Sequence, residues 1–142
     1  MFKRILVALD HSKADDALLP RVKQLACLTG AELMLLHVST GWAAHWQDQL
    51  NLTDSKEMKE DREFLDEVAQ GLRNEGLQVI VRHARGEPAR EVLRTAREEN
   101  CDLIAMTTHG HKFISDLVHG TTITKVRHES PIPIFLVKAE MD

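Results

Sequence analysis

Apolar positions along this chain fall into short continuous runs, separated by stretches in which they recur every three or four residues. The runs are KRILVALD (3–10), AELMLLHV (31–38), LQVIVRH (77–83), DLIAMTT (102–108) and PIPIFLV (131–137). Runs so short, and rich in β-branched residues, predict strands; those without polar alternation read as buried on both faces. Between them lie sets at helical spacing: Leu18, Val22, Leu25 and Ala26; Leu65, Val68, Ala69 and Leu72; Ala89, Val92, Leu93 and Ala96; and Ile123 with Val126. Breakers set the boundaries. Gly30 and Gly76 stop the first two helices. Gly86-Glu87-Pro88 opens the third, proline being suited to a first turn. Pro20 is awkward inside the first helix, because it lacks an N–H and clashes with the preceding turn. Either Asp15 or Asp16 caps a late start, or the helix kinks there. Asp54 and Glu57 resemble a capping pair for the second helix, and Thr121 or Thr122 caps the fourth. Residues 39–53 read as a loop, in which Trp42 and Trp46 serve as core filling or a staple rather than a binding platform.

Strand and helix alternate five strands deep. That predicts a single α/β domain over 1–142: a parallel sheet covered on both faces, with right-handed crossovers. No repeat, low-complexity tract or linker divides it. The chain has 142 residues, 43% hydrophobic and 28% charged, which is ordinary for one globular domain. Its 22 acidic against 18 basic residues leave a net charge of −4, which argues against a nucleic-acid partner. No segment approaches the ~20 apolar residues that span a bilayer, and the run Ile5 to Leu9 is too short for a signal-peptide core. A cytoplasmic protein without membrane contact is therefore expected. Cys27 and Cys101 read as buried, reduced thiols.

The segment TTHGHKFISDLVHGTT (107–122) follows the fourth run. In a doubly wound sheet, ligands settle outside the carboxyl ends of the strands, where the strand order reverses. If the first strand is central, Asp10 and Thr107 face that crevice and the loop arches over it. Gly110 and Gly120 let backbone amides approach a ligand closely. Thr121 and Thr122 add hydroxyls, Lys112 adds a cation, and a helix starting near Thr121 would aim its N-terminus at an anion. His109, His111 and His119 with Asp116 nominally offer metal ligands, but nothing fixes their geometry, and a solvated loop is the reading adopted. His11, beside Asp10, is a ligand-contact candidate; His37 and His83 read as packing or rim residues. There is no G-x-S-x-G, G-x-x-x-x-G-K-[ST] or H-E-x-x-H motif, so no catalytic residue is assigned and an enzyme is not expected.

ILVALDHS, GEPAREVL, CDLIAMTTHG, the paired glycines with Thr121, and PIPIFLV occur in an order that resembles the universal stress protein family over residues 2–138. The resemblance implies a three-layer α/β/α sandwich whose five-stranded parallel sheet has the order 3-2-1-4-5, in a homodimer. It also implies ATP binding through G-x2-G-x9-G-(S/T) after the fourth strand. Here that pattern falls on Thr107, Gly110, Gly120 and Thr121, so the first glycine position is a threonine. By the same resemblance, Ala8, Leu9 and Asp10 border adenine and ribose, and Val38 lines the base pocket. Met106 and Thr107 flank ribose and phosphates, while Gly110, His111, Lys112, Gly120, Thr121 and Thr122 cradle the phosphate chain, with Mg²⁺ held through phosphate oxygens. The expected role is a stress sensor or switch binding ATP, or else ADP or AMP. The alternatives are a nucleotide-free dimeric adaptor for a protein client, or a weak ATPase. The strongly apolar run 131–137 would form a sheet edge and, paired across a two-fold axis, the dimer contact.

Overall fold

A computed structural model of the chain describes the backbone of residues 1–40, 51–108 and 116–139, and the side chains of 1–39, 56, 58–108 and 122–139. The elements are β1 (Arg4–Ala8), α1 (Asp15–Thr29), β2 (Glu32–Thr40), α2 (Asn51–Asn74), β3 (Val79–Gly86), α3 (Pro88–Glu98), β4 (Leu103–Thr108), α4 (Asp116–Glu129) and β5 (Ile134–Lys138). All four strand pairings are parallel, in the order β3-β2-β1-β4-β5. The expected fold and strand order are therefore present, with β1 at the centre.

Alternation along the strands divides the core in two. Ile5, Val7, Leu33, Leu35, Leu103 and Ala105 pack on one face against Leu18, Val22 and Ala26 of α1 and Leu65, Ala69 and Leu72 of α2. Leu6, Met34, Leu36, Ile104 and Met106 pack on the other face against Ala89, Val92 and Ala96 of α3 and Ile123 and Val126 of α4. Each central strand is thus apolar on both sides, which is why it reads as a continuous run rather than an alternating one.

Several boundaries differ from the sequence-based expectations. α1 runs from Asp15 straight through Pro20, and its N-cap, Ala14, makes no side-chain cap. α2 begins at Asn51, so Asp54 and Glu57 lie inside it rather than ahead of it. α4 begins at Asp116, which puts Thr121 and Thr122 within the helix and not at its cap. Leu52 in the first turn of α2, and Leu117 and Val118 ahead of Gly120 in α4, stand apart from the apolar sets further along, so spacing alone starts both helices too late. β2 extends to Thr40, and Trp42 and Trp46 lie outside the described residues. Cys101 is buried as expected, but Cys27 is exposed on α1. Burial pushes the Cys101 thiol up to about 11.

Two glycine turns, one before β2 and one at the end of β3, follow backbone chemistry. Gly30 caps α1 in the left-handed conformation, its amide bonded to Ala26 O at 2.8 Å. Gly86 closes β3 with φ +135°, and a Cβ there would stand 3.3 Å from Glu91 Cγ. Glu87 then caps α3, accepting from the amides of Ala89 (3.1 Å) and Arg90 (3.0 Å). Among the described residues, no helix is long and apolar enough to cross a membrane.

Candidate functional site

β1 and β4 are neighbours, while the connections out of β1 and β4 run to opposite sides of β1. The carboxyl ends of these strands therefore flank the topological switch point, where an α/β sheet opens a crevice. The chain just past β1 is unusually well fixed. Asp15, only 2% exposed, turns its carboxylate back to accept the amides of Asp10 (2.7 Å), His11 (2.8 Å) and Ser12 (3.3 Å). Burial raises its pKa, against the lowering effect of these amides. Ser12 Oγ donates to Asp10 Oδ2 at 3.1 Å and accepts from the amide of Ala14 at 3.2 Å. His11 takes up φ 59°, a conformation uncommon for residues other than glycine.

The site residues expected from the sequence divide by face. Ala8, Val38 and Met106 belong to the cluster beneath α3 and α4 and form an apolar wall at the upper ends of β1, β2 and β4. Leu9, 4% exposed, packs its side chain into the opposite cluster beneath α1 and α2. It offers the crevice only backbone: its amide is bonded to Leu36 O, and its carbonyl accepts from His37 Nδ1 at 3.0 Å. Thr107 is 6% exposed, and alternation places it on the same side as Ala105. Asp10 lies two residues beyond the end of β1, half-buried. Gly110, His111 and Lys112 lie outside the described residues, as does His109.

Gly120, Thr121 and Thr122 are in α4. A helix that starts at Asp116 turns their amides onto carbonyls four residues earlier, and leaves unpaired only the amides of its first turn. Thr122 is 5% exposed. The amides open to an anion in this conformation are therefore those of residues 116–119, and the expected cradle at 120–122 is a helical turn.

A polar cluster that spacing did not reveal stands on the α2 side of the same strand ends. Asp61 of α2 receives His11 Nδ1 on Oδ1 at 2.6 Å, and Ser39 Oγ on Oδ2 at 3.3 Å. Its Oδ2 also faces His37 Nε2 at 3.3 Å. Ser39 Oγ lies 2.8 Å from His83 Nε2. The His11 ring stacks on Phe64 with centroids 4.1 Å apart, and His37 stacks on His83 at 5.9 Å. His83 has its pKa lowered, chiefly by burial and then by His37. So His37 and His83, read from sequence as packing or rim residues, are members of a hydrogen-bonded network. The signal was there in outline: His11, His37 and His83 each close or follow one of the first three apolar runs. Among the described residues, no group of His, Cys, Asp or Glu is arranged to hold a metal ion.

Residues 1–138 match the model of the universal stress protein family. The universal stress protein YxiE of Bacillus subtilis is 28% identical, over 97% of this chain and all of that protein. The solved structure of MJ0577 of Methanocaldococcus jannaschii superposes with a TM-score of 0.85 and 26% identity, over 100% of this chain and 99% of that one. Two more distant structures share the fold at 18% identity. One is a universal stress protein in complex with cAMP (TM-score 0.72, covering 98% of each chain). The other comes from Archaeoglobus fulgidus, in complex with dAMP (TM-score 0.71, covering 96% of this chain and 98% of that one). With a match across nearly its whole length and the family's strand order in its sheet, this chain belongs to the universal stress protein family.

Proposed function

We propose that this chain binds an adenine nucleotide, ATP with Mg²⁺ first among them, over the carboxyl ends of β1 and β4, and acts as a ligand-responsive switch rather than an enzyme. The observation that carries this reading is the switch point itself. An apolar wall of Ala8, Val38 and Met106 stands beside the rigid polar turn Asp10–Ser12, as a base and ribose require. Family members solved with cAMP and dAMP support the ligand class. In this reading Leu9 serves through its backbone, Thr107 flanks the ribose, and Gly110, His111 and Lys112 receive the phosphates. Gly120, Thr121 and Thr122 join them when the first turn of α4 unwinds, and ADP or AMP would fill the base and ribose part alone. Mg²⁺ is held by phosphate oxygens.

The edge strand β5 supports a homodimer. Ile134, Phe135, Leu136 and Val137 are only half-buried, and an apolar edge with unpaired backbone groups invites a second copy. A dimer of this kind is also what a nucleotide-free adaptor for a protein client would need.

Chromatography of the supernatant from freshly purified, heat-denatured protein tests the proposal. Released adenine nucleotide, or a rise in melting temperature when Mg-ATP is added, is the expected result. Neither release nor a shift would leave the adaptor, and steady phosphate release would establish the ATPase.

A further inference from the structure

We infer that the N-terminal part of α2 is a proton-operated strap, docked on the strand ends through Asp61 while the histidines facing it are neutral, and released when they charge. The inference goes beyond nucleotide binding and does not depend on it.

α2 meets the sheet along one stripe, Asp61, Leu65, Ala69 and Leu72, spaced by three or four residues. Leu65, Ala69 and Leu72 are buried in the apolar cluster against the strands. One turn nearer the N-terminus the same stripe carries a carboxylate, its side chain only 18% exposed. An apolar residue there would continue the core; Asp61 makes the docking polar instead. Its partners come from the ends of three strands: His11 follows β1, His37 and Ser39 lie on β2, and His83 lies on β3. A carboxylate only accepts, so the hydrogen bonds converge on it. His11 Nδ1 donates to Oδ1 at 2.6 Å. Ser39 Oγ donates to Oδ2 at 3.3 Å and, its proton so used, accepts from His83 Nε2 at 2.8 Å. His37 Nε2 faces Oδ2 at 3.3 Å, while its Nδ1 donates to Leu9 O at 3.0 Å.

Three imidazoles therefore stand around one carboxylate. The His37 ring lies 6.0 Å from that of His11 and 5.9 Å from that of His83. One carboxylate balances one imidazolium, and a second or third meets only like charge. The other charged groups around the rings do not supply the balance. Arg62 of α2 and Arg85 of β3 add positive charge at His83. On the His11 side, the Asp15 carboxylate of α1 is taken up by backbone amides, and Asp10 accepts from Ser12 Oγ. Histidine is the side chain that ordinarily changes charge between about pH 5 and 8. Burial, and then His37, holds the His83 pKa below its usual 6.5 in the docked state, and release into water removes both causes. Acid therefore favours the released strap. From Leu65 onward the helix is held by apolar contacts and by Arg73, which donates to Val79 O, and neither titrates in this range.

The test is hydrogen exchange of the full chain, read by mass spectrometry at pH 7.5 and pH 5.5 as protection relative to the unstructured rate at each pH. Wild type is expected to lose at least about tenfold in protection over residues 56–63 at the lower pH, the effect of one ring binding its proton ten times more tightly once released. Residues 66–74 and strands β1 and β4 should keep theirs. His37→Gln combined with His83→Gln leaves His11 and Asp61, one imidazole to one carboxylate, and glutamine still donates to Leu9 O and Ser39. This double variant should protect residues 56–63 equally at both pH values. Asp61→Asn removes the charge and should expose them already at pH 7.5, with residues 66–74 still protected. Wild-type protection that is the same at both pH values, or full protection in Asp61→Asn, would overturn the inference. So would a loss that persists in the double variant, which would move the sensor to His11 or to Asp15, whose burial raises its pKa. A loss spread evenly over α2 and the sheet is acid unfolding of the whole chain and would overturn it too.

Discussion

His83 shows what a single side chain can and cannot reveal in sequence. Its place at the end of an apolar run was visible, but its surroundings were not. The β2–β3 register sets it opposite His37, and Ser39 then bridges it to Asp61 on α2. These contacts join residues far apart in the chain, and no local spacing encodes them. The burial that lowers its pKa has a measurable consequence. A histidine whose folded-state pKa lies below its unfolded value of 6.5 leaves the unfolded chain binding more protons as the pH falls. Its contribution to stability is complete above 6.5 and is lost as the pH falls through the folded value. Urea unfolding of wild type and His83→Gln at pH 7.5 and pH 5.5 checks this. Glutamine retains a partner for Ser39 but cannot titrate, so the variant should lose less stability on acidification; equal losses would contradict the assignment. Cys27 gives the opposite lesson. A small apolar residue beside a helical stripe reads as core, yet α1 turns it outward into solvent.

Among the elements, strands were legible and helix starts were not. Five apolar runs became five strands because both faces of the sheet are covered, and the periodic sets on α1, α2 and α3 became buried faces. α2 and α4 begin earlier than their apolar spacing suggests, at Asn51 and Asp116. For α4 this matters functionally, because the helix encloses Gly120. Glycine inside a helix costs about 0.5–1 kcal/mol relative to alanine. Gly120→Ala should therefore stabilise the nucleotide-free protein by about that amount in thermal or urea unfolding. If the phosphates engage residues 120–122, the turn must unwind, and the same substitution should weaken Mg-ATP binding. Stability gained without any loss of binding would place the phosphates on residues 116–119 and the preceding loop instead. The start of α3 was legible from Pro88 in its first turn, whereas the positive φ of Gly86 and the capping carboxylate of Glu87 came only with the structure.

For the molecule as a whole, the alternation of strands and helices predicted the layered parallel sheet, and the family resemblance supplied its strand order. That order places β1 at the centre and brings the ends of β1 and β4 together as the place for a ligand. Of the candidate site, Asp10 at the end of the first run was visible in the sequence, whereas Ala8, Val38 and Met106 were named only by the family resemblance and share one face in the structure. The histidine–aspartate network was not visible, because it exists only once three strands and α2 are assembled. The edge strand β5 is apolar and half-buried, the surface on which the proposed pairing with a second copy rests. The most direct test of nucleotide binding at this edge is a ¹⁵N–¹H correlation spectrum of the labelled protein titrated with Mg-ATP. The account predicts saturable shifts concentrated at the amides of residues 8–12, Val38 and 106–108, with the amino ends of the strands at Arg4, Glu32 and Leu103 unmoved. An unchanged spectrum, or shifts gathered at those opposite ends, would contradict it.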